Sequence, residues 1–431
     1  MSSSWLPCLI QSSSLNVTVK IPMKEKPRTD KLLSLLFVQQ NDPWGKKGHS
    51  SLAARLCSKI PGTDFKIEED KFYSEMWMGT YPRVPSYVIS TGESLQDFLK
   101  KRPDLIGKSV VNRFGPDLPF LPKILSMDKA LPLQIHPDRQ LAQQLHHKDP
   151  KKFGDTNHKP EIAIALSEFE LFAGWKPLND MAALFQLKPL ERFLLTPQTH
   201  FTDETLKAVA KALLEAPESV VAETLDKLVK MPPSAFGKHT YIPNLLGRLR
   251  KQYSEFDNGN LIAALCMNYM TLQPGDSVYI PADGMHAYLS GDIVECMARS
   301  DNVLNTGFCP RPQRDSVALF TEALSFWPHD PDEALLGKHP SEKSEKGKTL
   351  EYAPPISEFN MLTTHLGSGE KETIKPIAGP SVMVVTSGSG KLIAEGKTVN
   401  LSEGYVFFVG QGIPLHFEAQ KGMVVYRAYA E

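Results

Sequence analysis

Cysteine is scarce in this chain. Cys8, Cys57, Cys266, Cys296 and Cys309 are an odd set scattered over 431 residues, with no C-x-x-C pair among them. Neither a disulfide framework nor a zinc knuckle fits that pattern, and a reducing, cytoplasmic setting is expected. No run of 18 or more apolar residues occurs, which excludes a membrane-spanning helix. The opening MSSSWLPCLIQSSSLNV has no basic residue ahead of its short apolar stretch and makes a poor secretory signal. Charge excess is missing as well: 48 Lys+Arg stand against 49 Asp+Glu, a formal net charge of -1. That balance gives no electrostatic reason to expect a nucleic-acid or membrane partner. What is present, 41% hydrophobic and 23% charged residues, is the composition of a soluble globular protein of two or three domains.

The pattern along the chain changes several times. Residues 1–31 are rich in Ser and Lys without a clean period, and a disordered extension is expected there. From residue 32 to residue 177, short apolar runs such as Leu33 to Val38 and Ile162 to Leu166 alternate with Pro/Gly/Asp clusters, the chemistry of strands and turns. Between residues 178 and 257 the period becomes helical. Leu206, Val209, Leu213 and Leu214 share one face, Val220, Val221, Leu225 and Leu228 share another, and Thr202 stands as an N-cap before Asp203 and Glu204. Strand character is read again from Leu261, so residues 32–177 and 258–330 are expected to form one discontinuous β-barrel around a helical insert. Residues 331–350 read as an exposed linker, because Gly337 to Lys348 is polar throughout. Residues 351–431 read as a second barrel. The fold class expected is mainly β with an α-helical insert.

Three segments carry chemistry. In Gln134-Ile-His136, an extended chain puts both polar side chains on one face. In His158-Lys-Pro-Glu161, a carboxylate opens an apolar strand with Lys159 on the same side. In Gly275-Asp to Pro281 to His286, a strand ends at a turn that presents the imidazole. The G-D-x4-P-x4-H spacing resembles the second signature of cupin barrels, jelly rolls that hold one metal on their inner face. Two imidazoles, a carboxylate and an amide oxygen form a set suited to Zn²⁺. Taken singly, each also has an ordinary structural explanation as a satisfied core residue.

The runs Trp44-Gly-Lys46, Glu75-Met-Trp-Met-Gly-Thr80, Pro119-Phe-Leu-Pro-Lys123, Gln134-Ile-His-Pro-Asp138, Asn157-His-Lys-Pro-Glu161, Pro281 to Gly291 and Ser300-Asp-Asn-Val303 follow one another in the order seen in type I mannose-6-phosphate isomerases, which the chain resembles from about residue 32 to its end. The resemblance implies two cupin-like barrels and one Zn²⁺ per chain on Gln134, His136, Glu161 and His286. It also implies interconversion of mannose 6-phosphate and fructose 6-phosphate through an enediol, in support of GDP-mannose synthesis. Lys123, Lys159, Tyr288 and Glu295 are then the candidates for proton transfer, and Trp44 for the sugar wall, although each could instead be a surface or packing residue. A small-molecule sugar phosphate is the expected partner, and a monomer the expected state.

One departure stands out. The family usually has an arginine after its S-D-N-V-x run, and here Asn305 follows Leu304. A permanently charged five-donor fork has become a short neutral amide. Arg299, Arg311 and Arg314 are the candidates to restore that charge; without compensation the chain would be slow or act on another substrate. The rival readings are a paralogue for another sugar phosphate and a zinc-loaded binding protein with little turnover. A cupin iron oxygenase is disfavoured because Gln134 stands where such sites place histidine.

Overall fold

The structure, a computed structural model, describes residues 5–12, 15–22, 31–194 and 200–431. Helix and strand take comparable shares of it, so the fold is mixed rather than mainly β. The first β unit is organised around one long strand, His286–Ala298, which pairs antiparallel with four others: Phe169–Trp175, Glu161–Ala165, Phe120–Met127 and Leu133–Ile135. Glycine lets this strand serve two sheets. Gly291 sits at φ +123°, and a Cβ there would lie 2.5 Å from the Glu168 carbonyl oxygen. The strand turns at that point, so its first half pairs with Phe169–Trp175 and its second with Glu161–Ala165.

The second β unit packs an eight-stranded sheet against a four-stranded one. Its interior is filled by residues such as Leu362, Met383, Val385, Leu392, Phe407, Leu415 and Phe417. The Leu32–Leu36 strand, read from sequence as the start of the first barrel, pairs instead with Val406–Val409 of this sheet. A single cluster containing Leu33, Leu35, Ile162, Ile164, Cys296, Val382 and Phe408 joins the two units. Local pattern marks such a segment as a strand, but carries nothing about which distant strand receives it.

The helical insert follows its periodicity. Leu206, Val209, Leu213 and Leu214 are buried on Asp203–Glu215, and the Thr202 hydroxyl accepts from the Thr205 amide at 3.3 Å. The strand expected from Leu261 is absent, because Asn258–Cys266 is a helix capped by Asp257, and strand begins at Met267. All nine residues of that helix are buried, so the apolar run Leu261 to Cys266 has no polar face to reveal its period.

Two further readings are corrected. Within the expected disordered extension, Trp5–Ser12 and Leu15–Pro22 pair antiparallel in a two-stranded ribbon; the rest of residues 1–30 lies outside the described residues. The expected linker is tied down: Lys338–Pro340 pairs with Thr349–Tyr352, and the turn between them closes on the buried Glu372 carboxylate. Glu372 accepts from the Ser344 hydroxyl at 2.5 Å and from the Lys346 and Lys348 amides at 3.0 and 2.8 Å. Limited proteolysis should therefore spare Gly337 to Lys348 in the native chain and cut there early in Glu372→Ala. Equal early cleavage after Lys343 or Lys346 in both would mean that the Glu372 anchor contributes nothing. No helix among the described residues is long and apolar enough to cross a membrane.

Candidate active site

Strand alternation builds the site. Leu133 and Ile135 are fully buried and join the core beneath the helical insert, so Gln134 and His136 are turned the other way. In register, Gln134 lies opposite His286 on one neighbouring strand and opposite Asn305 on the other. The row Asn305, Gln134, His286 thus crosses three strands. A second row, formed by Trp77, Lys123 and Glu295, runs across the adjoining sheet.

His136, Glu161 and His286 converge, with one ligand atom from each within 4.8 Å of the others. Glu161 Oε1 is 3.1 Å from His136 Nε2, and Glu161 Oε2 is 3.5 Å from His286 Nε2. The opposite ring nitrogens are committed to backbone: His136 Nδ1 lies 2.8 Å from the Asn302 carbonyl oxygen, and His286 Nδ1 lies 3.0 Å from that of Gly284. An Nδ1–H donated to a carbonyl leaves the Nε2 lone pair pointing at its neighbours. Both Nε2 atoms are buried and have no hydrogen-bond partner. Orphaned nitrogens of this kind, aimed at one carboxylate, are what a resident cation needs. The N/O donor set fits Zn²⁺, and Gln134 borders the same space.

Electrostatics reinforce the arrangement. Burial and the charge of Lys159 press His136 down to about 4, so the imidazole is neutral and free to act as a ligand. Burial alone would push Glu161 up, but Lys159, whose Nζ is 3.3 Å away, and His136 outweigh it and hold the carboxyl well below the usual range. Tyr288 is completely buried and its hydroxyl donates to Glu161 Oε2 at 3.2 Å, behind the cluster.

Beside this cluster opens a cleft of about 530 Å³. Its lining includes the sequence candidates Trp44, Lys123, Gln134, Lys159, Glu161, Glu295 and Asn305. Lys123 Nζ lies 3.1 Å from Glu295 Oε2 and 4.3 Å from the Trp77 ring centroid. Burial and the nearby Glu161 charge raise Glu295 to about 7 in spite of Lys123. Burial pulls Lys123 down, but Glu295, Glu75 and Glu161 more than offset it and hold the ammonium above its ordinary value. A buried carboxyl raised toward neutrality in a cleft has the character of a proton-transfer group.

The arginine candidates do not reach the cleft. Arg299 turns to Asp117 at 2.8 Å and lies over the Tyr81 ring. Arg311 pairs with Glu218 on the exposed surface at 2.5 Å, and Arg314 is spent on Asp257 and the Cys309 carbonyl. Each had a closer acid available on an element that sequence spacing could not bring near. Other cleft residues were not among the site candidates: Asp42, Arg83, Lys152 and Gln313, and also Glu75, Trp77 and Asp301, which entered only within the runs that carry the resemblance. Alternation along Glu75–Trp77 places its two end residues on one face, a signal that could have been used; Arg83 and Lys152 sit in turns and offered none.

The profile described as phosphomannose isomerase type I, catalytic domain, matches residues 32–178, and that of the type I C-terminal region matches residues 352–397. A Schizosaccharomyces pombe protein named mannose-6-phosphate isomerase is 37% identical over 407 residues, 90% of this chain and 97% of its own. Its Saccharomyces cerevisiae namesake is 34% identical over 435 residues, 94% and 99%. Among solved structures, a variant of the Salmonella typhimurium phosphomannose isomerase aligns with TM-score 0.76 at 23% identity, covering 93% of this chain and 99% of that one. A zinc-bound mannose 6-phosphate isomerase aligns with TM-score 0.77 at 24% identity, covering 93% and 100%.

Proposed function

This chain belongs to the type I phosphomannose isomerase family, and from that premise we propose that it interconverts mannose 6-phosphate and fructose 6-phosphate through an enediol, feeding mannose activation to GDP-mannose. The two antiparallel units are read as cupin-like barrels, the first interrupted by the helical insert. Gln134, His136, Glu161 and His286 would hold one Zn²⁺. When bound, zinc would draw electron density from the oxygens on C1 and C2 of the opened sugar.

The chain's own groups supply the rest. Aldose-to-ketose conversion moves one proton from C2 to C1 and one from O2 to O1. Glu295, raised to about 7 and open to the cleft, is the group assigned to take the C2 proton and return it to C1. Lys123, 3.1 Å from it, stabilises the carboxylate before transfer and negative charge on the enediol afterwards. Lys159 is assigned to the same oxygens from the Glu161 side. Tyr288 orients Glu161 rather than meeting substrate, since its hydroxyl is already donated. Trp44, buried and lining the cleft, is assigned as a wall for the sugar. One chain provides every group named, and we read it as a cytoplasmic monomer.

The observation that carries this reading is the pair of orphaned buried imidazole nitrogens next to a cleft that is lined by a carboxyl poised near neutrality. The direct test is a coupled assay of the purified protein with mannose 6-phosphate, before chelation, after it, and after zinc is restored. Activity that disappears and returns with the metal is expected. Full zinc occupancy without turnover of mannose 6-phosphate would transfer the assignment to another sugar phosphate or to a binding role.

A further inference from the structure

We propose that Lys152 is the cation that receives the phosphate of the substrate, supplying the charge that the neutral Asn305 beside it cannot. This rests on the sugar-phosphate reading above and adds to it a residue, a position and a polarity for the bound substrate.

The cleft has two ends. At one, Gln134 and Glu161 line the cleft, with His136 and His286 of the metal-ready cluster behind them; Asn305 is the next residue outward from Gln134 in the same cross-strand row. Two strand spacings, about 10 Å, separate the backbone at His286 from that at Asn305. A phosphorylated hexose opened to its chain form and reacting at C1 and C2 beside the cluster must direct its C6 phosphate away from it, along such a span. A dianion arriving there needs donors with net positive charge.

The four cations of the cleft can be told apart by their counter-ions. Lys159 and Lys123 are buried against Glu161 and Glu295, at the reacting end. Arg83 stacks 5.1 Å over the Trp77 ring and lies 3.1 Å from Asp301, a carboxylate that itself lines the cleft and would face an arriving anion. Lys152 differs. Its Nζ is held by Asp315 Oδ1, while Asp315 Oδ2 accepts the Asn305 amide at 2.9 Å. One carboxylate therefore clamps Lys152 to the backbone of position 305. The Asp315 side chain is only 3% exposed and does not line the cleft, whereas that of Lys152 is 49% exposed and does. The negative partner is behind and the ammonium in front, with two of its three N–H donors left for phosphate oxygens. The neighbouring Asn305 amide carries no charge: its oxygen is buried without a partner, and its NH2 can add only neutral hydrogen bonds. Asp315 is on this account a positioning residue, and Lys152 the one that touches substrate.

The test compares full-length, zinc-loaded wild type with Lys152→Gln, Lys152→Arg, Arg83→Gln and the double variant Lys152→Gln/Asn305→Arg. Binding of inorganic phosphate, fructose 6-phosphate and unphosphorylated fructose is read from the fluorescence of Trp44 and Trp77, which line the cleft. Lys152→Gln should weaken both phosphate-bearing probes about 10- to 100-fold, the loss of one or two charge-assisted hydrogen bonds, and leave fructose unchanged. The same loss should appear in KM more than in kcat. Lys152→Arg should retain most of the affinity, Arg83→Gln should lose less than Lys152→Gln, and Asn305→Arg should restore binding in the Lys152→Gln background, because a guanidinium there enters the same end of the cleft. Unchanged phosphate binding in Lys152→Gln overturns the assignment. So does an equal loss for fructose, a larger loss in Arg83→Gln, or a loss that neither arginine substitution repairs, which would mark Lys152 as structural. Phosphate binding that follows Lys152 in a wild type unable to isomerise mannose 6-phosphate would sink the isomerase reading and leave this one standing.

Discussion

His136→Ala and His286→Ala are each expected to yield a folded chain without bound zinc and with activity lowered at least a thousandfold. Each removes one imidazole whose Nε2 has no hydrogen-bond partner within the protein, so truncation breaks no hydrogen bond at that atom. It does break the Nδ1–H bond to the buried Asn302 carbonyl or to the half-buried Gly284 carbonyl; a buried carbonyl left short of a donor costs about 1–3 kcal/mol, and the Gly284 carbonyl less. The first β unit has its own core, including Leu125, Ala163, Leu171, Ile280 and Ile293, and should survive that cost. Loss of metal has the larger effect, because polarisation of the sugar oxygens supplies several kcal/mol of transition-state stabilisation, at tenfold in rate for each 1.36 kcal/mol. Metal analysis and a thermal melt separate the two effects. Full zinc in either variant would remove that histidine from the ligand set. Unfolding of both would show that the imidazoles are structural.

Much of this architecture was legible where the physics is local. Thr202 capping its helix, the buried stripe through Leu206 and Leu213, and the alternation that turns Gln134 and His136 away from Leu133 and Ile135 all follow from periods of 3.6 and two. What could not be read has a common cause. The helix Asn258–Cys266 is buried all round, so its period is silent. The Leu32–Leu36 strand crosses to Val406–Val409, a partner far along the chain. Gly337 to Lys348 looked like a linker because its composition is polar, yet a single buried acceptor, Glu372, organises it. The same holds in the cleft. Lys159 was placed beside Glu161 by sequence adjacency alone. Lys152 came to Asn305 only through Asp315, and Arg299 left for Asp117, because ion pairing selects whichever opposite charge the fold delivers.

Glu295→Gln should lower kcat about 10²–10⁴-fold while retaining zinc, since the substitution preserves shape, leaves the His136, Glu161 and His286 cluster intact and removes only the basic oxygen. Its pH dependence is the sharper expectation. A carboxyl raised to about 7 by burial and by Glu161 is active once deprotonated, and a dication on the neighbouring ligands favours the carboxylate, so kcat/KM of the zinc-loaded wild type should climb with pH along a limb that lies below 7. In Glu295→Gln the limb should vanish and leave a flat residual rate. The variant also deprives Lys123 of its 3.1 Å partner, an uncompensated buried charge of the kind that costs about 3–5 kcal/mol. That cost is softened here by Glu75, Glu161 and the Trp77 face, each of which already acts on the ammonium. A melt run beside the assay distinguishes reduced stability from reduced chemistry. If folded, zinc-loaded Glu295→Gln keeps its rate within a few-fold and its acidic limb unchanged, Glu295 does not move the proton. The same assay on Lys159→Gln would then show whether that lysine is the base.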